Sequence, residues 1–249
     1  MYMYGVMAVI GLLIAGYFVC HYIKKRKMDD NDAIVCMLIA AIGILIGSHI
    51  LFAITNVDKW YLINTVHDFK SFADYAALII GGSVFYGGLI GGVIAGAIYI
   101  KVKKLDAETY FDVTAPAIPL FHSIARIGCF LGGCCYGVES DFGFTFSHSL
   151  APGVNGVSRF PVQLLESGLN MILFLVLWQL LRKNKCKGYL FPIYLMSYAV
   201  IRFSDEFLRG DAYRGFIFGI STSQFISILL FLGALVYIVI KKQRKKQKA

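Results

Sequence analysis

Apolar residues along the chain gather into seven stretches, at roughly 2–23, 33–54, 76–100, 111–133, 161–181, 189–208 and 216–240, with polar or charged residues between them. Each stretch meets the about 17–25 residues that a helix needs to cross the hydrocarbon core of a bilayer. The pattern predicts an all-α, polytopic membrane protein with seven transmembrane helices, folded as a single domain over residues 1–249. Stretch 2–23 has neither a basic start nor a small-residue cleavage site, and Lys24-Lys25-Arg26-Lys27 follows it, so it is read as a retained helix rather than a leader.

Composition agrees with this. The chain of 249 residues is 58% hydrophobic, above the about 45–50% of soluble domains. The net charge of +9 is a matter of placement. Clusters at 24–27, 101–104, 182–187 and 241–248 hold 17 of the 24 Lys and Arg, and they end the first, third, fifth and seventh stretches. All four therefore fall on one side. Positive charge marks the cytoplasmic side, so the N-terminus is expected outside and the C-terminus inside. A nucleic-acid partner is not needed to explain the charge. The other seven cations, Lys59, Lys70, Arg126, Arg159, Arg202, Arg209 and Arg214, lie in outer loops or outer halves of helices.

Three polar residues share one expected depth. Tyr86 stands 15 residues from Lys101, Arg126 15 from Phe111 and Arg202 14 from Gly188, which places each about 21–23 Å up a helix. Charges at that depth face a cavity or a partner. Gly88, Gly92 and Gly96 recur every four residues and predict close helix packing. The pairs Gly81-Gly82 and Gly87-Gly88 predict a helix break or a close backbone approach. Pro116 and Pro119 predict a kink or a delayed helix start. His122, Arg126 and Cys129 fall on one helical face, and Gly132-Gly133 should end that helix with Cys134-Cys135 at its mouth. Arg202, Glu206 and Arg209 have the spacing of a same-face Arg–Glu–Arg ladder.

These residues fall in motifs that resemble the bacterial prolipoprotein diacylglyceryl transferases. The motifs are Tyr4-Gly5, "FYGGLIGG" (85–92), "ARIGCFLGGCCYG" (125–137), "FPVQLLES" (160–167), "RFSDEFLR" (202–209) and, more weakly, "TSQFIS" (222–227). The resemblance implies an enzyme of the bacterial plasma (inner) membrane that uses no cofactor and no metal. Its partners would be phosphatidylglycerol, membrane lipid and an exported lipoprotein precursor. It would transfer a diacylglyceryl group to a lipobox cysteine thiol and release glycerol phosphate. By matching position, Arg126 and Arg202 would bind the phosphate and Glu206 would be an acidic partner. The substrate-binding set would further include Tyr4, Gly87, Gly88, Gly137, Gln163, Glu166, Tyr198 and Arg209.

Where the family pattern carries His, Asn and Glu, this chain carries Tyr86, Cys129 and Cys134. A base is needed to make the acceptor thiolate, and Tyr86 or His122 can serve. A Cys129–His122 couple would permit a covalent intermediate. Cys129, Cys134 and Cys135 also suit a disulfide, a reactive thiol or plain packing, whereas C-x4-C-C is not a usual zinc spacing. Three other functions stay open. They are a paralogue with a Cys–His mechanism and a non-lipoprotein acceptor, a non-catalytic lipid-binding or transport protein, and a thiol–disulfide module.

Overall fold

The computed structural model describes residues 2–82, 84–151, 153–211, 216–217 and 219–247. Eight α-helices carry the described chain: α1 (Tyr2–Lys25), α2 (Asp30–Thr55), α3 (Phe69–Ile80), α4 (Phe85–Val102), α5 (Ala107–Leu131), α6 (Val162–Arg182), α7 (Leu190–Asp205) and α8 (Thr222–Gln247). Two small antiparallel pairs join them, β1 (Glu139–Thr145) with β2 (Ser158–Arg159), and β3 (Phe216–Ile217) with β4 (Ile220–Ser221). Among the described residues five helices are long and apolar enough to cross a membrane: Met3–Lys25, Asp30–Thr55, Ala107–Leu131, Val162–Arg182 and Thr222–Gln247. The molecule is thus mostly helical with several candidate spans.

Two other stretches depart from single long helices. The stretch at 76–100 is divided: α3 ends at Ile80, the chain breaks at Gly81-Gly82, and α4 starts at Phe85. The glycine pair accounts for the break, as its spacing suggested. The stretch at 189–208 is helical only to Asp205 and then tightens into a 3-10 turn, Glu206–Leu208. The delayed start that the prolines could cause does not occur. Neither delays α5, which starts at Ala107 and runs through both Pro116 and Pro119. Both rings are fully buried, so neighbouring elements cover the backbone that the missing N–H groups disturb.

Residues 23–107 form one compact unit. Asp29 caps α2 by accepting from the Asn31 N–H at 2.8 Å. The α2–α4 contact is made of backbone. A Cβ added to Gly43 would lie 2.5 Å from the Gly91 carbonyl oxygen, and one added to Gly47 would strike the Gly87 carbonyl. Gly88 and Gly92 lie against Ile44 beside this line. The closest approach is therefore along Gly87 and Gly91, one residue before the Gly88–Gly92 row singled out by spacing. Such small-residue seams let helices gain dispersion energy at short range where lipid offers no hydrophobic contrast. The α3–α4 break is tied to α2: Val84 N–H donates to the Ser48 carbonyl at 3.1 Å. His49 Nδ1 lies 2.7 Å from the Ile80 carbonyl and 2.8 Å from that of Gly82. Carbonyls only accept, so Nδ1 carries the proton and donates to both.

The second unit contains residues 1–22 and 108–249. Here α1 meets α5 at glycines, since a Cβ on Gly11 would press on Phe121 and one on Gly128 on Met7 and Tyr4. Helices α5 and α6 are joined by serines: Ser123 and Ser167 hydroxyls lie 3.1 Å apart, and Ser167 donates to the Ser123 carbonyl at 2.8 Å. Asp112 of α5 accepts from the Gly188 and Leu190 N–H groups at the start of α7. Lys241 of α8 closes the same end, bonding the Gly188 carbonyl at 2.7 Å and Glu108 at 2.8 Å.

Candidate functional site

The end of α5 is set by its backbone. Gly133 N–H donates to the Phe130 carbonyl and Cys134 N–H to the Cys129 carbonyl, at 3.1 Å each, while Gly133 takes φ +64°. This is the paired 5→2 and 6→1 bonding of a Schellman stop, which needs a left-handed residue and finds it in glycine. Residues 136–138 then run extended between two neighbours. Gly210 N–H donates to the Tyr136 carbonyl, Val138 N–H to Leu208, and Phe160 N–H to Val138. A Cβ on Gly137 would collide with the Phe160 carbonyl and sit 3.0 Å from that of Leu208, so the crossing requires glycine.

Around this turn lies a buried ionic network. Glu166 of α6, 1% exposed, receives Arg126 of α5 at 2.8 Å and stands 4.0 Å from Arg209. Arg209 also makes a two-pronged bond to Asp211, Nε to Oδ1 at 2.8 Å and Nη2 to Oδ2 at 2.6 Å. Arg202 of α7 pairs with Glu206 at 2.6 Å and donates to the Ser223 hydroxyl of α8 at 2.9 Å. Burying such charges is tolerable when each is paired and its remaining donors are used. Here some are not. Nε of Arg126 and Nη1 of Arg202 are buried without a hydrogen-bond partner among the described residues. Unused guanidinium donors in a buried site suit an oxyanion, which accepts from the planar fork two bonds at a time.

The expected ladder is half present. Arg202–Glu206 forms, but the helix stops at Asp205, so Arg209 swings into extended backbone and pairs with Asp211 rather than completing the ladder with Glu206. About two turns of continuous helix, from Arg202 to Arg209, would have been needed to stack all three.

Of the other candidates, Gln163 donates to the Cys134 carbonyl at 2.9 Å. The His122 ring packs on Tyr198 at 5.3 Å between centroids, and Tyr198 stacks in turn on Tyr194. Tyr4 of α1 lies beside Gly128. Arg126 Nη1 is 3.9 Å from the Cys129 sulfur. The Cys129, Cys134 and Cys135 sulfurs lie within 4.8 Å of one another as free thiols. Cys135 is held well below the usual thiol range, first by hydrogen bonds from the Cys129 and Cys134 thiols and then by Arg126 and Arg209, against the cost of burial. Gly87 and Gly88 belong to the other unit, in its α2–α4 seam. The Tyr86 backbone opens α4, and its side chain lies outside the described residues.

Sequence reasoning gave no site role to three residues that bond in this region. Asp211 and Ser223 supply partners to Arg209 and Arg202. Arg159 lies buried over the Tyr136 ring at 4.6 Å and donates to the Gly153 carbonyl at 2.8 Å. The Arg-Gly-Asp run at 209–211 was the available signal for Asp211, and the others had none.

The family model described as prolipoprotein diacylglyceryl transferase matches residues 1–240. Among similar proteins, a phosphatidylglycerol–prolipoprotein diacylglyceryl transferase of Clostridium tetani is 32% identical over 98% of this chain and 95% of its own. One of Clostridium perfringens, numbered 2, is 34% identical over 99% and 93%. One of Geobacter sulfurreducens is 32% identical over 97% and 91%.

Proposed function

Since this chain belongs to the prolipoprotein diacylglyceryl transferase family, we propose that it moves the diacylglyceryl group of phosphatidylglycerol onto the lipobox cysteine of an exported prolipoprotein. The acceptor thiol loses its proton to a base. The thiolate attacks the glycerol carbon that bears the phosphate, a C–S bond forms, and the C–O bond to phosphate breaks. Glycerol phosphate leaves with the bonding pair.

The observation that carries this reading is the pair of buried guanidiniums with unused donors, Arg126 and Arg202. They bind the phosphodiester and stabilise the charge that grows on the leaving oxygen. Glu166 and Glu206 orient them. Tyr4, Gly137, Gln163, Tyr198 and Arg209 shape the headgroup region, and Gly87 and Gly88 join the substrate-binding set by motif. His122, on the α5 face that also carries Arg126, takes the thiol proton. Tyr86 replaces the imidazole of the family motif and is dispensable as a base in this scheme.

The topology that fits is a single transferase domain with seven crossings, the α3–α4 pair counting as one broken crossing. The N-terminus faces outward and the C-terminus the cytoplasm of a bacterial plasma membrane. Basic clusters at 24–27, 101–104, 182–187 and 241–248 support that orientation.

Vesicles containing phosphatidylglycerol, the purified protein and a lipobox peptide test the scheme. The peptide should gain the mass of a diacylglyceryl group. His122→Asn should abolish the gain and Tyr86→Phe should retain it. A peptide left unmodified by the wild type, or modified equally by His122→Asn, would overturn the assignment.

A further inference from the structure

Lipid transfer as derived above uses none of the three clustered thiols. Yet the backbone is built to bring them together. The Schellman stop sets Cys134 beside Cys129 through the Cys134 N–H to Cys129 carbonyl bond at 3.1 Å. Cys135 takes φ +56°, a left-handed conformation rare outside glycine. The turn is held from both sides, by Gln163 on the Cys134 carbonyl at 2.9 Å and by the Ser149 hydroxyl on the Gly133 carbonyl at 2.8 Å. The three sulfurs lie within 4.8 Å of one another. A trigonal metal site with metal–sulfur bonds of about 2.3 Å needs sulfurs about 4 Å apart, which small side-chain rotations supply.

The chemistry of the site selects its ligand. Three thiols with no imidazole or carboxylate in the group form a soft donor set. A tetrahedral dication would want a fourth ligand. Arg126 lies 3.9 Å from the Cys129 sulfur, where it favours the thiolate that a metal needs. A three-sulfur set with no fourth ligand in the group suits a soft ion that is content with three-coordination, and a single positive charge keeps that preference.

We propose that Cys129, Cys134 and Cys135 form a trigonal three-thiolate site for a soft monovalent cation of the copper(I) class. Binding releases thiol protons and changes no oxidation state. The site does not depend on lipid transfer, because it is complete without lipid or acceptor.

The test uses the full-length protein in detergent, reduced and free of oxygen, titrated with copper(I) against bicinchoninate. One copper per chain should resist the chelator, with an X-ray absorption first shell of three sulfurs. Cys129→Ser, Cys134→Ser and Cys135→Ser should each weaken binding at least about tenfold, the loss that removing even a supporting group produces. Cys186→Ser, at an exposed thiol outside the cluster, should not. Should the buried Cys129→Ser fail to fold, the partly exposed Cys135→Ser carries the test. Loss of all copper to the chelator, retention by the triple serine variant, or a disulfide within the trio in place of bound metal would each overturn the proposal.

Discussion

The unit at residues 23–107 and the unit that holds α5 to α8 solve the same problem by opposite means. In the first, α2 and α4 meet backbone to backbone along Gly43, Gly47, Gly87 and Gly91. In the second, polar and charged side chains join elements far apart in sequence, Arg126 to Glu166 and Arg202 to Ser223, and hold Arg202 to Glu206 and Arg209 to Asp211 within one segment. Glycine seams gain from close dispersion contact and supply no charge or titrating group, and Gly87 and Gly88 enter the proposed substrate-binding set by motif alone. A buried ionic network is weak evidence for stability, since its desolvation cost offsets most of its attraction. What it supplies is a set of rigidly held donors. The difference separates a part of the molecule that packs from a part equipped to act on an anion.

The sharpest way to break the comparison is Arg126→Ala. Transfer should fall by at least about 100–1,000-fold, the range for removing one donor from a developing oxyanion. Stability should fall by several kcal/mol as well, because Glu166 is left buried with Arg209 alone beside it; thermal unfolding in detergent reads that component. Gly47→Leu should do the reverse. It should lower the unfolding midpoint by the equivalent of about 1–3 kcal/mol or more through overpacking, and activity should follow folded protein rather than drop on its own.

Smaller effects sharpen the contrast. His49→Ala removes the donor to the Ile80 and Gly82 carbonyls. It should cost about 1–3 kcal/mol and expose the amides at the α3–α4 break to faster hydrogen exchange, with α5 to α8 unchanged. Ser123→Ala should be mildest, about 1 kcal/mol or less, because the Ser167 hydroxyl keeps its bond to the Ser123 carbonyl. A loss of transfer per folded molecule from Gly47→Leu equal to that from Arg126→Ala would erase the distinction drawn between packing and acting regions.

Local signals were legible in the sequence and distant partnerships were not. Gly81-Gly82 marked a helix break, Gly132-Gly133 marked the end of α5, and both lie where the residues put them, because a glycine pair acts through its own backbone. Pro116 and Pro119 do not delay α5, because burial among neighbouring elements covers the backbone they disturb. The Arg–Glu–Arg spacing misled at its second rung because i,i+3 geometry holds only while the helix continues, and α7 stops at Asp205. Glu166 entered the substrate-binding set only through the family resemblance. Its place between Arg126 and Arg209 depends on how α5, α6 and the 206–211 segment come together, which spacing within one helix does not encode. His49 is the plainest case, a solitary histidine whose role exists only once α3 has folded back to it.

The most direct test of the central claim is mole balance in one reaction. Reconstituted protein receives phosphatidylglycerol labelled in its headgroup and a lipobox peptide, and released glycerol phosphate and thioether-linked peptide are counted together. The account predicts that they rise in equal amounts with the wild type, and that neither rises with Arg126→Ala or Arg202→Ala. Peptide lipidation that survives loss of both guanidiniums, or glycerol phosphate released without lipidated peptide, would contradict it.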